Sequence, residues 1–140
     1  MSELNVSHWL GSSPLALSDL RGNIVVLDFW SMDEPDEVNA TRQMNALARE
    51  YGEKGVVVIG IHPHTVNTGA VETFLRERGI AYPVAIDAPP PDEEGLGATF
   101  ESYGIRVLNH DVIIAPDGTV RSGIRVLSLE RELLHLLANR

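Results

Sequence analysis

The chain has 140 residues, 44% of them hydrophobic and 22% charged, a formal net charge of −9 and no cysteine. This length buries a real core, and the composition is globular rather than disordered. The negative charge disfavours nucleic acid and anionic membrane surfaces as partners, and the missing thiols exclude disulfides, thiolate nucleophiles, iron–sulfur clusters and cysteine-ligated zinc.

No apolar run approaches the roughly 20 residues of a membrane span. The N-terminus lacks the basic-then-apolar pattern of a signal peptide. As given, the sequence points to a soluble cytoplasmic protein, or to a periplasmic or otherwise extracytoplasmic one if these residues are a domain of a longer exported chain. Chemistry, if any, would come from Asp, Glu, His, Ser, Tyr or a bound ion.

Trp9-Leu10-Gly11 and Leu15-Ala16-Leu17 suggest a short N-terminal strand or hairpin, and Ser18-Asp19-Leu20-Arg21-Gly22 a single helical or tight turn. Ile24-Val25-Val26-Leu27-Asp28-Phe29 reads as a buried strand. Val38, Thr41, Met44, Leu47, Ala48 and Tyr51 recur at spacings of three and four, which predicts an amphipathic helix ending before Gly52. Gly55-Val56-Val57-Val58-Ile59-Gly60-Ile61 is a second near-continuous apolar strand, as expected where both faces of a sheet are covered.

Val71, Phe74 and Leu75 mark another helix, closed by Gly79. A short strand follows at Tyr82-Pro83-Val84-Ala85-Ile86-Asp87. Ala88-Pro89-Pro90-Pro91-Asp92-Glu93-Glu94-Gly95 is then a stiff, exposed acidic loop with no full P-x-x-P. Residues 99–103 suggest a short helix before Gly104. Val112-Ile113-Ile114-Ala115 and Thr119-Val120-Arg121 flank Pro116-Asp117-Gly118 and predict a hairpin. Ser128 suits the N-cap of a last helix whose Leu129, Leu133, Leu134 and Leu137 face the core. With no repeat and no boundary, the expectation is one domain over residues 1–140, α/β with a central mixed β-sheet flanked by helices.

Six segments in this order resemble the TlpA/ResA-like branch of the thioredoxin superfamily, which borders the AhpC/TSA peroxiredoxins. They are Leu17-Ser18-Asp19-Leu20-Arg21-Gly22, Val26-Leu27-Asp28-Phe29-Trp30, Met44-Asn45-Ala46-Leu47, Val57-Val58-Ile59-Gly60-Ile61, Tyr82-Pro83-Val84-Ala85-Ile86-Asp87 and Ile114-Ala115-Pro116-Asp117-Gly118. The resemblance implies a thioredoxin-like fold and thiol-disulfide chemistry carried by a C-x-P-C motif just after the Phe-Trp pair.

Laid on this chain without a gap, the two cysteine positions fall on Glu34 and Glu37, and Met44-Asn45-Ala46-Leu47 and Tyr51 stay in register. A one-residue shift places Asp33 and Asp36 there and aligns Pro35 with the motif proline. Either way both thiols are replaced by carboxylates. The family's cis-proline position falls on Asn109, where a trans bond is expected because a non-proline cis bond costs about 2.5–4 kcal/mol. Both landmarks of disulfide exchange are gone, and with the cis-proline part of the expected substrate recognition.

Two readings of Asp33-Glu34-Pro35-Asp36-Glu37 compete. The favoured one is helix capping, with Asp33 or Glu34 at the N-cap, Pro35 in the first turn and each carboxylate stabilised by about 0.3–1 kcal/mol in the helix dipole. The other is paired-carboxylate catalysis or a metal site joining Glu34 and Glu37 to His62, His64 and His110, a donor set suited to zinc or a non-haem transition metal. No ligand spacing is fixed by motif, so no cofactor is expected. There is no Gly-x-Ser-x-Gly elbow, and Gly95-Leu96-Gly97 lacks the strand–helix context of a phosphate or dinucleotide loop. His8 and His135 read as ordinary solvent-facing or partly buried side chains. Trp9, Phe29, Trp30 and Tyr51 read as core, although the family's equivalent of Trp30 borders the active-site cleft. The expected function is a redox-inactive binding or scaffold module, which leaves room for a protein partner.

Overall fold

The computed structural model describes residues 2–34, 37–108, 110–124 and 126–138. Its elements along the chain are β1 (Val6–Leu10), β2 (Ile24–Phe29), α1 (Glu37–Tyr51), β3 (Val56–His62), α2 (Thr68–Glu77), β4 (Val84–Asp87), α3 (Ala98–Ser102), β5 (His110–Ile114), β6 (Val120–Ile124) and α4 (Val126–Ala138). The described strands form one mixed sheet in the order β1-β4-β3-β2-β5-β6. β2, β3 and β4 run parallel, while β1, β5 and β6 are antiparallel to the strands they pair with.

Strand periodicity sends alternate side chains to opposite faces, and both faces are covered. Ile24, Val26, Trp30, Val58, Val84, Ile86 and Ile113 pack with Met44 and Tyr51 of α1, Val71 and Leu75 of α2, and Leu129 and Leu133 of α4. Val25, Leu27, Phe29, Ile59, Ile61, Val112 and Ile114 pack on the other side with Leu17, Phe100 and Ile105. Three helices thus lie on one face, and α3 with a 3-10 turn at Leu17–Leu20 on the other. No helix among the described residues is long and apolar enough to cross a membrane.

The expected α/β class, the mixed sheet, the turn near Ser18, and the helices and strands from Ile24 to the hairpin are present. α2 is capped by Asn67, whose side chain accepts from the Ala70 N–H at 3.3 Å. It ends where Gly79 adopts φ 63° and Ile80 N–H reaches the Leu75 carbonyl at 3.0 Å. In the hairpin, the Gly118 N–H closes on the Ala115 carbonyl at 2.8 Å with φ 89° at Gly118, so Pro116 and Asp117 form the corner.

Three expectations are corrected. Leu15 and Ala16 form no strand, and β1 pairs with β4 far along the chain rather than in a local hairpin. The Glu3 carboxylate instead accepts from the Leu17 and Ser18 N–H groups at 2.6 and 3.1 Å, which fixes this stretch from outside. Ser128 is not a cap, because α4 already begins at Val126. Leu134 is 51% exposed. The buried stripe of α4 runs through Leu129, Leu133, Leu136 and Leu137, and Leu134, five residues on from Leu129, falls outside it.

Candidate functional site

β2 lies between β3 and β5, so the turn that follows it emerges at the middle of one sheet edge. Trp30 continues the strand by donating its N–H to the Ile61 carbonyl at 3.1 Å. Ser31 is buried and folds the chain back: its carbonyl accepts from Glu34 N–H and its hydroxyl from Asp33 N–H, both at 3.2 Å. Asp33 and Glu34 therefore belong to a serine-centred turn ahead of α1, which opens at Glu37. Asn109, Pro35 and Asp36 lie outside the described residues, as does the peptide bond expected to be trans before Asn109.

His62 is built into this turn. Its Nε2 accepts from Met32 N–H at 3.3 Å, and its Nδ1 lies 2.9 Å from the Pro63 carbonyl. A carbonyl only accepts, so the proton is assigned to Nδ1 and the ring is neutral. Burial pushes its pKa below the ordinary histidine value, only partly opposed by the Pro63 carbonyl and Asp33. The ring stands edge-on to Trp30 at 5.0 Å. Both nitrogens are thus engaged in holding the backbone.

The other histidines sit elsewhere. His64 donates its backbone N–H to Leu96 at 2.8 Å, and its Nδ1 lies 3.3 Å from the Asp87 carbonyl. His110 is opposite Phe29 in the β2–β5 register. By strand alternation it shares the face of Phe29, whereas His62 shares the face of Trp30. Among the described residues, no three His, Asp or Glu side chains converge to hold a metal ion. Beside the turn lies a groove of about 540 Å³ lined by Met32, Asn67, Phe74, Glu77 and Arg78 among others. Trp30 is fully buried and is core, not groove wall.

The model of the AhpC/TSA family matches residues 5–122 of this sequence. The chain belongs to that family. It is 33% identical over 112 residues to the thiol-disulfide oxidoreductase ResA of Bacillus anthracis, covering 79% of this chain and 60% of ResA. It is 30% identical over 128 residues to protein DipZ of Mycobacterium tuberculosis (strain CDC 1551 / Oshkosh), covering 83% of this chain and 17% of DipZ. The chain thus spans less than two thirds of these curated relatives. Among solved structures, a thiol-disulfide isomerase from Corynebacterium glutamicum superposes with a TM-score of 0.85 at 28% identity, covering 97% of this chain and 94% of the other. The thioredoxin-like superfamily protein SPOA0173 gives 0.82 at 26% identity over the same shares. The thioredoxin-like fold and the TlpA/ResA-like kinship expected from the sequence are both shown.

Within this AhpC/TSA chain the most unusual chemistry lies under the turn. Asp28 and Asp111 face each other in the β2–β5 ladder, both in the core. Burial pushes the Asp28 carboxyl up to about 6, opposed in part by its Asp111 neighbour. Asp87, also buried, accepts from the N–H groups of Ala88, Thr99 and Phe100 at 3.1, 2.8 and 3.1 Å. Burial raises its pKa, against hydrogen bonds that favour the charged form. None of these three acids was singled out as a site in the sequence. The available signal was an acid inside an otherwise apolar strand, at Val26-Leu27-Asp28-Phe29 and again at Asp111-Val112-Ile113.

Proposed function

We propose that this chain is a redox-inactive binding or scaffold module on a thioredoxin-like fold, working through a protein partner. One observation carries the reading: the sequence contains no cysteine at all. Disulfide exchange proceeds by attack of a thiolate on a disulfide sulfur, and a methionine thioether cannot substitute. The activity named for ResA and the isomerase therefore has no nucleophile here. The net charge of −9 supports a protein partner over nucleic acid or an anionic lipid surface. In insulin-disulfide reduction and in peroxide consumption, the purified chain is expected to match buffer. Turnover above buffer in thioredoxin-free preparations would overturn the reading.

The same module predicts modest roles for Glu34 and Glu37. Glu34→Gln and Glu37→Gln should each cost between a few tenths and about 1 kcal/mol, as expected for carboxylates near a helix N-terminus. Thermal melts of the wild type with chelator, then with zinc or manganese, should superimpose. A ligand that binds only the native state raises the melting temperature by mass action. A rise of several degrees with metal, lost in either variant, would instead favour a metal-binding or hydrolytic site using Glu34, Glu37 and the nearby histidines.

A further inference from the structure

Two carboxyl side chains meet in the interior of the sheet. Asp28 of β2 and Asp111 of β5 are directly opposite in an antiparallel ladder, 5% and 0% exposed, on the face covered by α1, α2 and α4. Opposed residues in such a ladder bring their Cβ atoms within about 4.5–5.5 Å. Strand alternation puts both side chains on the same face, and both Asp111 carboxyl oxygens are fully buried. Two ionised carboxylates held this close repel and neither can donate, so direct contact between them requires a proton on one. The β5–β6 ladder is irregular at the same place: Asp111 pairs with Ile124 and Ile113 with Arg121, leaving one extra residue on β6. Such bulges leave a residue unpaired and disrupt the ladder locally.

We propose that Asp28 and Asp111 form a buried proton-sharing pair that clamps the β5–β6 hairpin to β2 in mildly acidic solution and loosens that junction as pH rises toward and past neutrality. A shared proton leaves one buried negative charge; its loss leaves two facing each other, in a setting where isolated buried charge is strongly disfavoured. The junction is two residues upstream of Trp30, so the loosening acts directly on the turn that carries Met32, Asp33 and Glu34.

The surroundings of the pair fix the sign. β3 sets Gly60 beside Asp28, and β6 sets Ile124 beside Asp111. Buried described side chains on the covering helices are Thr41, Met44, Asn45 and Tyr51 of α1, Val71 and Leu75 of α2, and Leu129 and Leu133 of α4. The charged and titratable groups described on this face include His62 beyond Trp30, Tyr82, Tyr51, whose hydroxyl bonds Glu130 at 2.9 Å, and Arg121 of β6, which lies opposite Ile113 and pairs with Glu132 of α4. His110 takes the opposite face. A carboxyl whose folded pKa lies above its unfolded value of 3.8, here at about 6, stabilises fully below 3.8 and loses that contribution as pH rises through 6. His62, shifted down by burial, contributes in the opposite sense, and Asp87 in the same sense. Comparing wild type with variants at the pair cancels both.

The test is urea denaturation of the whole chain from pH 5 to pH 8 for wild type, Asp28→Asn and Asp111→Asn. The pair's contribution to the wild-type folding constant should fall roughly tenfold over this range. In Asp28→Asn that fall should shrink below about threefold, with Asp111→Asn changing in the same direction. Equal pH slopes in all three proteins would overturn the proposal. Carboxyl carbon-13 titration of the wild type needs no variant to fold: one proton of the pair should persist above pH 5, and full ionisation of both groups by pH 5 would overturn it too. Amide exchange at Leu27 and Val112, corrected for intrinsic rate, should speed up between pH 5 and 8 in wild type and stay level in Asp28→Asn. Unchanged protection in wild type would refute the loosening.

Discussion

Trp30→Ala is expected to destabilise the fold by about 3–5 kcal/mol in urea denaturation, the range for removing a fully buried large aromatic. Trp30 is completely buried at the end of the central strand. Its ring meets His62 edge-on at 5.0 Å and Phe74 of α2 at 5.5 Å, so one side chain joins the strand end, the turn and a helix. Room for it is made by Gly60, where an added Cβ would lie 3.0 Å from the indole Nε1. Truncation therefore opens a large void and removes the platform of the imidazole that accepts Met32 N–H. The indole N–H itself has no acceptor among the described residues. Trp30→Phe should then cost less than half as much as Trp30→Ala, since it keeps a ring and deletes a buried donor without a partner. Equal losses would mean that the indole's outer ring and N–H supply most of what Trp30 contributes.

That position also shows how far sequence reading reaches. β2 and α1 were legible because their patterns are local: six apolar-dominated residues, then a recurrence of three and four. α4 was legible as a helix but not in its start or its face: Leu134 differs from Leu129 and Leu133 only in what packs on it. The N-terminal stretch failed for a different reason. Its hydrogen bonds go to Glu3 and to β4, and no turn residue between Leu10 and Leu15 announces either partner. At the candidate site, the loss of both thiols was plain from composition. The engagement of both His62 nitrogens and the separation of His62 from His110 onto opposite faces were not, because each depends on a strand register. The Asp28–Asp111 contact is the sharpest case: 83 positions separate the two acids in sequence, and one ladder step places them together.

Asp87→Ala is expected to cost about 3 kcal/mol or more, because it strips the acceptor from the buried Thr99 and Phe100 N–H groups at once and each such group left unsatisfied costs about 1–3 kcal/mol. The helix it serves cannot cap itself. α3 is five residues long, and its N-cap is Gly97, which has no side chain to offer. Asp87 reaches across from the end of β4 instead, with Oδ2 accepting from Thr99 and Phe100 and Oδ1 from Ala88. Phe100 is thereby held against Phe29 with ring centroids 4.8 Å apart, on the face of the sheet opposite Trp30. Thr99 in turn accepts from Asn5 N–H at 3.0 Å, which ties the approach to β1 into the same knot. The glycine is required by space rather than by backbone angle: its φ of 170° is ordinary extended chain, but an added Cβ would lie 2.7 Å from the Asp87 Cβ and closer still to Oδ2. Gly97→Ala should therefore push Asp87 off its donors and approach the cost of Asp87→Ala itself. The double variant should lose less than the sum, since the displaced carboxylate is already gone and only the contact with the Cβ that alanine keeps at position 87 persists. Urea denaturation of the three variants measures this directly, and additive losses would show that Gly97 matters for some reason other than admitting Asp87.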